Sequence, residues 1–414
     1  MSRLRPCLVS LPLIAWLGVG LLSCRNAEGP GPRGRQGSAS EAPPPSHVTA
    51  ELALVEGLTD SGPIALGDRR LYQATLPTGW FIEIEAEQAG VDFALVASGP
   101  GGWQLLADSP TGRHGPERLL FWTATTGPHA VELRANDVEA GAHFTLHVLA
   151  CHAGSAEERR RAQAFATGAA ADHERRSQDP ALVRQAEATY LREAAAWYVL
   201  GEVRGQLHAY DGLGRVADHL HLRARKVEAS RHLAQLYARV PDVGKEAEAL
   251  VDLGEALSEM GQPQTAVEAE LAALRLIAQA PHAETEARAW NALANSCQMK
   301  GELGQAWTGF NRSLVLWQQL RRPRDEAITR ANLAILLVAL GEPQRALDEL
   351  RRARGALPSH PAPQDEAFLL EHEAETLIRL GRPAAARQLT ERAIALCTQG
   401  GDARALASAL NVAA

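Results

Sequence analysis

Along the C-terminal half of the chain the large and small apolar positions recur in a fixed helical rhythm. Leu250, Leu253, Gly254 and Leu257 are matched forty residues on by Trp290, Leu293, Ala294 and Cys297, then by Arg330, Leu333, Ala334 and Leu337, and then by Leu370, Glu373, Ala374 and Leu377. Large, large, small, large at offsets of three, one and three is one stripe on an α-helix, with the small residue where a neighbouring backbone comes close. A glycine follows each stripe (Gly261, Gly301, Gly341, Gly381) and predicts the end of that helix. Pro263, Pro343 and Pro383 open a second helix, where a missing N–H costs nothing. That helix carries Ala266, Ala306, Ala346 and Ala386, then a larger residue at Glu270, Phe310, Leu350 or Thr390, then a small one at Ala273, Ser313, Ala353 or Ala393. Acidic residues at Glu246, Glu286, Glu326 and Glu366 suit the N-terminus of each first helix. Residues 205–414 therefore read as helix pairs with a period of forty, the last incomplete. Such pairs stack into a solenoid, whose product is a long surface for holding another protein.

The pattern changes before residue 150. Trp80, Ile82, Ile84 and Ala86 share one face of an extended segment and Glu83 and Glu85 the other; Phe144, Leu146 and Val148 alternate with His143, Thr145 and His147. Further candidates near 50–55, 70–76, 91–97, 103–107, 117–123 and 129–134 bring the expectation to about eight strands in a small β-sandwich over residues 47–150. The expected fold is thus an α+β multidomain chain, a β-sandwich followed by an all-α solenoid, with residues 151–204 as a helical linker and atypical helix pair capping the array.

Residues 205–404 resemble tetratricopeptide repeats: Trp290, Leu293, Ala294, Ala306, Phe310 and Ser313 reproduce that signature with one conservative change. One period earlier Leu213 and Gly214 are in place but Lys226 stands where the alanine should be, so that repeat is degenerate; Ala186 and Tyr190 hold second-helix positions before it. The forty-residue period is similar to the longer kinesin-light-chain type. The resemblance implies a partner groove along the first helices, through 248, 252, 255 and 259 and their equivalents. The candidate partner residues are Asp252, Glu255, Asn295, Ile328, Asn332, Ile335, His372 and Glu375. The expected partner is a protein or peptide with a basic end and an apolar middle, and Ile328 with Ile335 is expected to be an exposed aliphatic pair.

At the other end, Arg3 and Arg5 precede an apolar run, Leu8 to Leu22, too short for a stable membrane span and read as an export signal over 1–23. Leu21-Leu22-Ser23-Cys24 resembles a bacterial lipobox, which makes Cys24 the lipid-bearing residue and the membrane a second partner. Arg25 follows where a retention aspartate might have stood, and the family resemblance then implies the outer membrane. Residues 24–46, rich in Gly, Pro, Ser and Ala, cannot bury a core and read as a disordered tether reaching about 25 Å on average. Gln88 to Asp92, the glycine-rich 98–102 and the turns at 108–110 and 115–117 resemble the domain that precedes tetratricopeptide repeats in some bacterial caspase-like (CHAT) peptidase proteins. No peptidase dyad can be placed on this sequence, so the chain is expected not to be an enzyme. Two alternatives stay open: a recognition half of such a peptidase system, and an envelope glycan-binding protein acting through the sandwich.

Composition narrows the chemistry further. A formal net charge of −7 disfavours nucleic acid as a partner. Cys151, Cys297 and Cys397 are an odd set with no disulfide spacing, and Cys297 falls at a core position. Cys151 and His152 are sequence neighbours, which usually point apart, so no catalytic pair is expected of them. His219 and His221 are two apart on a helix and share no face, so no metal is expected. Gly99 to Gly102 lacks the Lys and Ser or Thr of a phosphate loop. Trp80, Trp103 and Trp122 are expected in the sandwich core rather than on a sugar platform. The reading calls for no cofactor.

Overall fold

The computed structural model describes residues 48–108, 114–240 and 242–400. They fall in two compact units, 48–253 and 254–400. The signal, the tether and Cys24 lie outside the described residues.

In the first unit the described residues form β1 (Val48–Ala53), β2 (Thr59–Pro63), β3 (Arg69–Leu76), β4 (Trp80–Ser98), β5 (Gln104–Ala107), β6 (His114–Trp122) and β7 (Gly127–Ala153). Four helices follow: α1 (Ala156–Arg175), α2 (Pro180–Leu200), α3 (Val203–His219) and α4 (Arg223–Tyr237). The strands share one hydrogen-bonded sheet in the order β1-β3-β7-β4-β5, with β2 on β7 and β6 on β4. Strands expected separately at 80–86 and 91–97 are one element, β4, and those at 129–134 and 144–148 are both parts of β7. The two long strands pair with each other, and the ladder continues through register shifts at Glu83/Ile84, Ala89/Val91 and Asp92/Phe93. β2, Thr59-Asp60-Ser61-Gly62-Pro63, escaped the sequence reading because it contains no large apolar residue.

The alternation in β4 is real, but its polar face is covered at Glu83 and opens to water only towards Glu85 and Glu87. Ile82, Ile84 and Ala86 enter the main sheet core with Phe93, Leu95, Leu133 and Phe144. On the opposite face Phe81 and Leu120 pack with Ala150 against Ala162, Ala164 and Trp197 of α1 and α2. Full burial of one such phenyl ring contributes about 1.5–3 kcal/mol. Glu83, at the same level, accepts from Arg118 at 2.6 Å and pairs with Arg161 at 3.3 Å; both guanidiniums also reach Glu202, at 3.2 and 2.6 Å. Two carboxylates and two arginines, all mostly out of solvent, thus tie the sheet to the entrance of α3.

The degenerate repeat keeps its backbone while changing its residues. Lys226, in place of alanine, is buried and donates to Asp218 Oδ2 at 2.6 Å. His221 stands at φ 56°, in the left-handed conformation that Gly261, Gly301, Gly341 and Gly381 adopt forty, eighty and more residues later.

α5 (Val243–Glu259) leads into the second unit, which holds α6 (Pro263–Ile277), α7 (Ala283–Met299), α8 (Leu303–Gln319), α9 (Pro323–Ala339), α10 (Pro343–Ala356), α11 (Pro363–Arg379) and α12 (Pro383–Gly400). The predicted columns are the core: Ala266, Ala306, Ala346 and Ala386 are buried, as are Ala294, Ala334 and Ala374, and Cys297, Leu337 and Leu377. Charged departures from the stripe carry partners. Arg330 bridges Glu326 and Glu349, both at 2.8 Å, and buried Glu373 pairs with Arg354 at 3.0 Å.

Candidate functional site

The first helices of the second unit are less exposed than their sequence suggests. α7 packs against α6, α8 and α9, and every residue from Asn291 to Cys297 is buried. A helix so surrounded has little free face, and Asn295, the predicted groove residue on it, is mostly buried. Ile328 is buried, packed with Ala287 and Trp317, because the indole at the end of α8 reaches over it. The expectation that Ile328 is an exposed aliphatic is therefore corrected, and the Ile328/Ile335 pair does not form an exposed patch. Asn332 is likewise buried and donates from Nδ2 to Asn291 Oδ1 at 3.3 Å, so it serves helix packing rather than an open surface.

Ile335 and Asp252 are half-buried and Glu375 is exposed. His372 stacks edge-on against Phe368 at 4.6 Å between ring centroids and meets Glu375 at 3.2 Å; the hydrogen bond from His372 holds the Glu375 carboxyl below its usual range. Glu255 is mostly buried and receives Arg288 Nη2 at 3.1 Å, and Asn295 is mostly buried beside it.

The column 255, 295, 335, 375 is one place on successive first helices. It changes from Glu to Asn to Ile to Glu, whereas the adjoining packing column, 254, 294, 334, 374, is Gly and then three alanines.

One polar cluster was not foreseen. Glu255, Ser258, Glu259, Glu270, Asn291 and Asn295 line a recess of about 10 Å³ together with Ala292. Glu270 is fully buried at the column where Phe310 and Leu350 fill the core of the next two repeats. Its Oε1 accepts from Ser296 Oγ at 2.8 Å, and Ser296 Oγ lies 2.5 Å from Ser258 Oγ. Burial, with the nearby Glu255 charge adding to it and the Ser296 bond opposing, pushes the Glu270 carboxyl up to about 8. The sequence did carry a signal, a carboxylate in a packing column. The two serines, at positions with no repeat constraint, carried none.

Elsewhere the structure separates groups that the sequence placed side by side. Cys151 is buried in the sheet core, its thiol 3.8 Å from Leu54 O and its pKa raised by burial, while His152 Nδ1 faces Ala153 O. Cys297 is buried and burial pushes its thiol up to about 11. Trp103 packs on Phe121 and His129, whereas Trp122 joins the sheet–helix cluster with Arg159 over its ring, so the two indoles belong to different packing clusters. Among the described residues no group of three His, Cys, Asp or Glu side chains is arranged to hold a metal ion, and no helix is long and apolar enough to cross a membrane.

No curated protein matches the chain. Among solved structures, a kinesin light chain TPR-like repeat protein of Podosopora anserina is 20% identical and covers 48% of this chain and 97% of its own, with a TM-score of 0.38. A Rap protein complexed with competence and sporulation factor is 14% identical over 62% of this chain and 82% of its own, TM-score 0.46. The type IV pilus biogenesis factor PilW is 18% identical over 60% of this chain and 98% of its own, TM-score 0.42. The tetratricopeptide-repeat family model matches residues 285–359, the stretch that carries the helix pairs α7–α8 and α9–α10.

Proposed function

We propose that this chain is a membrane-anchored scaffold that holds a partner polypeptide along the first helices of its repeats and performs no chemistry of its own. One observation carries the reading. Glu255, Asn295, Ile335 and Glu375 hold one structural position in successive repeats and differ in chemistry, while the adjoining small-residue column hardly changes. Packing fixes the small-residue column, while the first column runs from mostly buried Glu255 and Asn295 to half-buried Ile335 and exposed Glu375, and its open end is available for recognition.

The anchor rests on the lipobox-like Leu21-Leu22-Ser23-Cys24 and the tether after it. Acyl chains on Cys24, each contributing about 0.8 kcal/mol per buried methylene, hold the protein at the outer membrane of a bacterial envelope. The strand-rich unit then stands between tether and repeats along the sequence.

Both halves of the proposal are open to test in the native cells. A photo-crosslinking residue at Ile335 is expected to give one discrete adduct, lost on exposed Glu375→Arg, while the same residue at exposed Leu271 of a second helix gives none. Equal adducts from both helices would sink the groove. Cys24→Ser is expected to release the chain from washed membranes, and retention of that variant would sink the anchor.

A further inference from the structure

Position 270 belongs to a column whose work is apolar packing: Phe310 and Leu350 are wholly buried there. A carboxyl in such a place costs stability unless its atoms find partners. Glu270 has found only some. Oε1 is held by Ser296, but Oε2 is buried with no hydrogen-bond partner, and Glu270 lies on the wall of the recess described above. The surroundings are shaped for this residue. Gly254 faces it where the equivalent positions are Ala294, Ala334 and Ala374, and a Cβ there would stand 2.5 Å from Glu270 Cγ. Ser258 and Ser296 are wholly or almost wholly out of solvent and bonded to each other, and Ser296 is bonded to the carboxyl.

We propose that this recess receives the ammonium group of a lysine side chain of the partner polypeptide, with Glu270 as its counter-ion. The proposal rests on the scaffold reading and names the chemistry of the partner at one repeat. At about 10 Å³ the recess holds a single water-sized group. An ammonium is that compact and brings three donors, whereas a guanidinium is a broad planar fork. The lining is oxygen-rich and acidic: Glu270 itself, Glu255 and Glu259, and the side chains of Ser258, Asn291 and Asn295. Arg288 already engages Glu255, so the site tolerates a cation at one edge.

Binding has a signature that simple surface attraction lacks. Burial keeps Glu270 protonated in the free protein at neutral pH. An ammonium placed beside it favours the carboxylate, so the proton leaves to solvent as the lysine enters.

The test uses the full chain and a library of short random peptides, selected on the wild-type protein and remeasured on Glu270→Gln and Glu270→Leu. The selected peptides are expected to share a lysine whose change to arginine or acetyl-lysine weakens binding by about tenfold or more. Calorimetry in buffers of different ionisation enthalpy is expected to show net proton release at neutral pH, absent in Glu270→Gln. Methylammonium competes; tetramethylammonium, too wide for the recess, does not. Should the leucine variant fold poorly, the glutamine variant, which keeps the shape, carries the comparison. Selected peptides that lack lysine, or that bind both variants as tightly as wild type, would overturn the lysine site and leave the scaffold standing. Recovery of no peptide at all would overturn the scaffold reading and this site with it.

Discussion

Gly254 of α5 lies against Glu270 of α6 so closely that a Cβ on the glycine would stand 2.5 Å from the glutamate Cγ and 2.9 Å from Oε1. In a helix interior Gly→Ala is usually worth a gain of about 0.5–1 kcal/mol. Here the added methyl overpacks a buried contact, at a cost of about 1–3 kcal/mol. Gly254→Ala, although it installs the residue found in the next three repeats, is therefore expected to lower the denaturation midpoint. An increase would show that the helices part without penalty.

Glu270 itself makes stability fall as pH rises. Its folded carboxyl titrates near about 8, above the unfolded value, so between the two the folded state keeps a proton that the unfolded state has released. Stability is full below the unfolded pKa, declines by up to about 1.4 kcal/mol per pH unit through the window, and levels off above about 8. Glu270→Leu is expected to remove that slope and to raise stability at neutral pH. Chemical denaturation of both proteins from acid to mildly alkaline pH would show two parallel curves if the idea is wrong.

His208 of α3 is held between Glu193 at 2.9 Å (Nδ1) and Asp172 at 3.1 Å (Nε2), and Tyr190 donates to the same Asp172. Burial would lower the imidazole pKa, but the two carboxylates outweigh it and raise it well above the ordinary value. A raised histidine contributes stability that is complete below its unfolded pKa and is lost as pH climbs through the folded one. His208→Asn leaves two carboxylates without their shared cation and is expected to cost about 3 kcal/mol at slightly acidic pH. The difference from wild type should shrink in alkaline solution, and amide exchange in α2 and α3 would report it. A pH-independent difference would show that the ring only fills space.

Ile328 and Ile335 are expected to behave differently. Ile328→Ala opens a cavity against Trp317 and Ala287 and is expected to cost about 2–4 kcal/mol. Ile335→Ala, at a half-buried position, is expected to cost less than half as much. Equal losses, read from urea midpoints, would mean that the α9 faces are wrongly assigned.

His221 adopts φ 56° where the later repeats use glycine. A left-handed backbone costs a side chain about 1–2 kcal/mol. His221→Gly is therefore expected to stabilise the first unit by about 1 kcal/mol, after the larger unfolded-state entropy of glycine is subtracted. A decrease in midpoint would show that the ring makes a contact worth more than the strain.

The forty-residue register was legible without coordinates, because a helix that packs through one stripe must repeat its small residues where backbones meet. Ala266, Ala306, Ala346 and Ala386 were placed correctly on that ground alone, and so were the turn glycines. The alternation of Ile82 and Ile84 with Glu83 likewise marked a strand and its inner face. What the sequence could not contain is how many neighbours each face meets. A periodic pattern separates apolar from polar positions, but a polar position is free only if no other element covers it. The structure covers Glu83 with Arg118 and Arg161, Ile328 with Trp317, and Asn332 with Asn291. It joins strands that read as separate, because the ladder between β4 and β7 continues through its register shifts instead of ending. It also gathers Ser258, Glu270 and Ser296 from three helices. Local periodicity thus determined the elements and their packing stripes, and tertiary packing decided which of the remaining positions stay open, since burial is a property of neighbours distant along the chain.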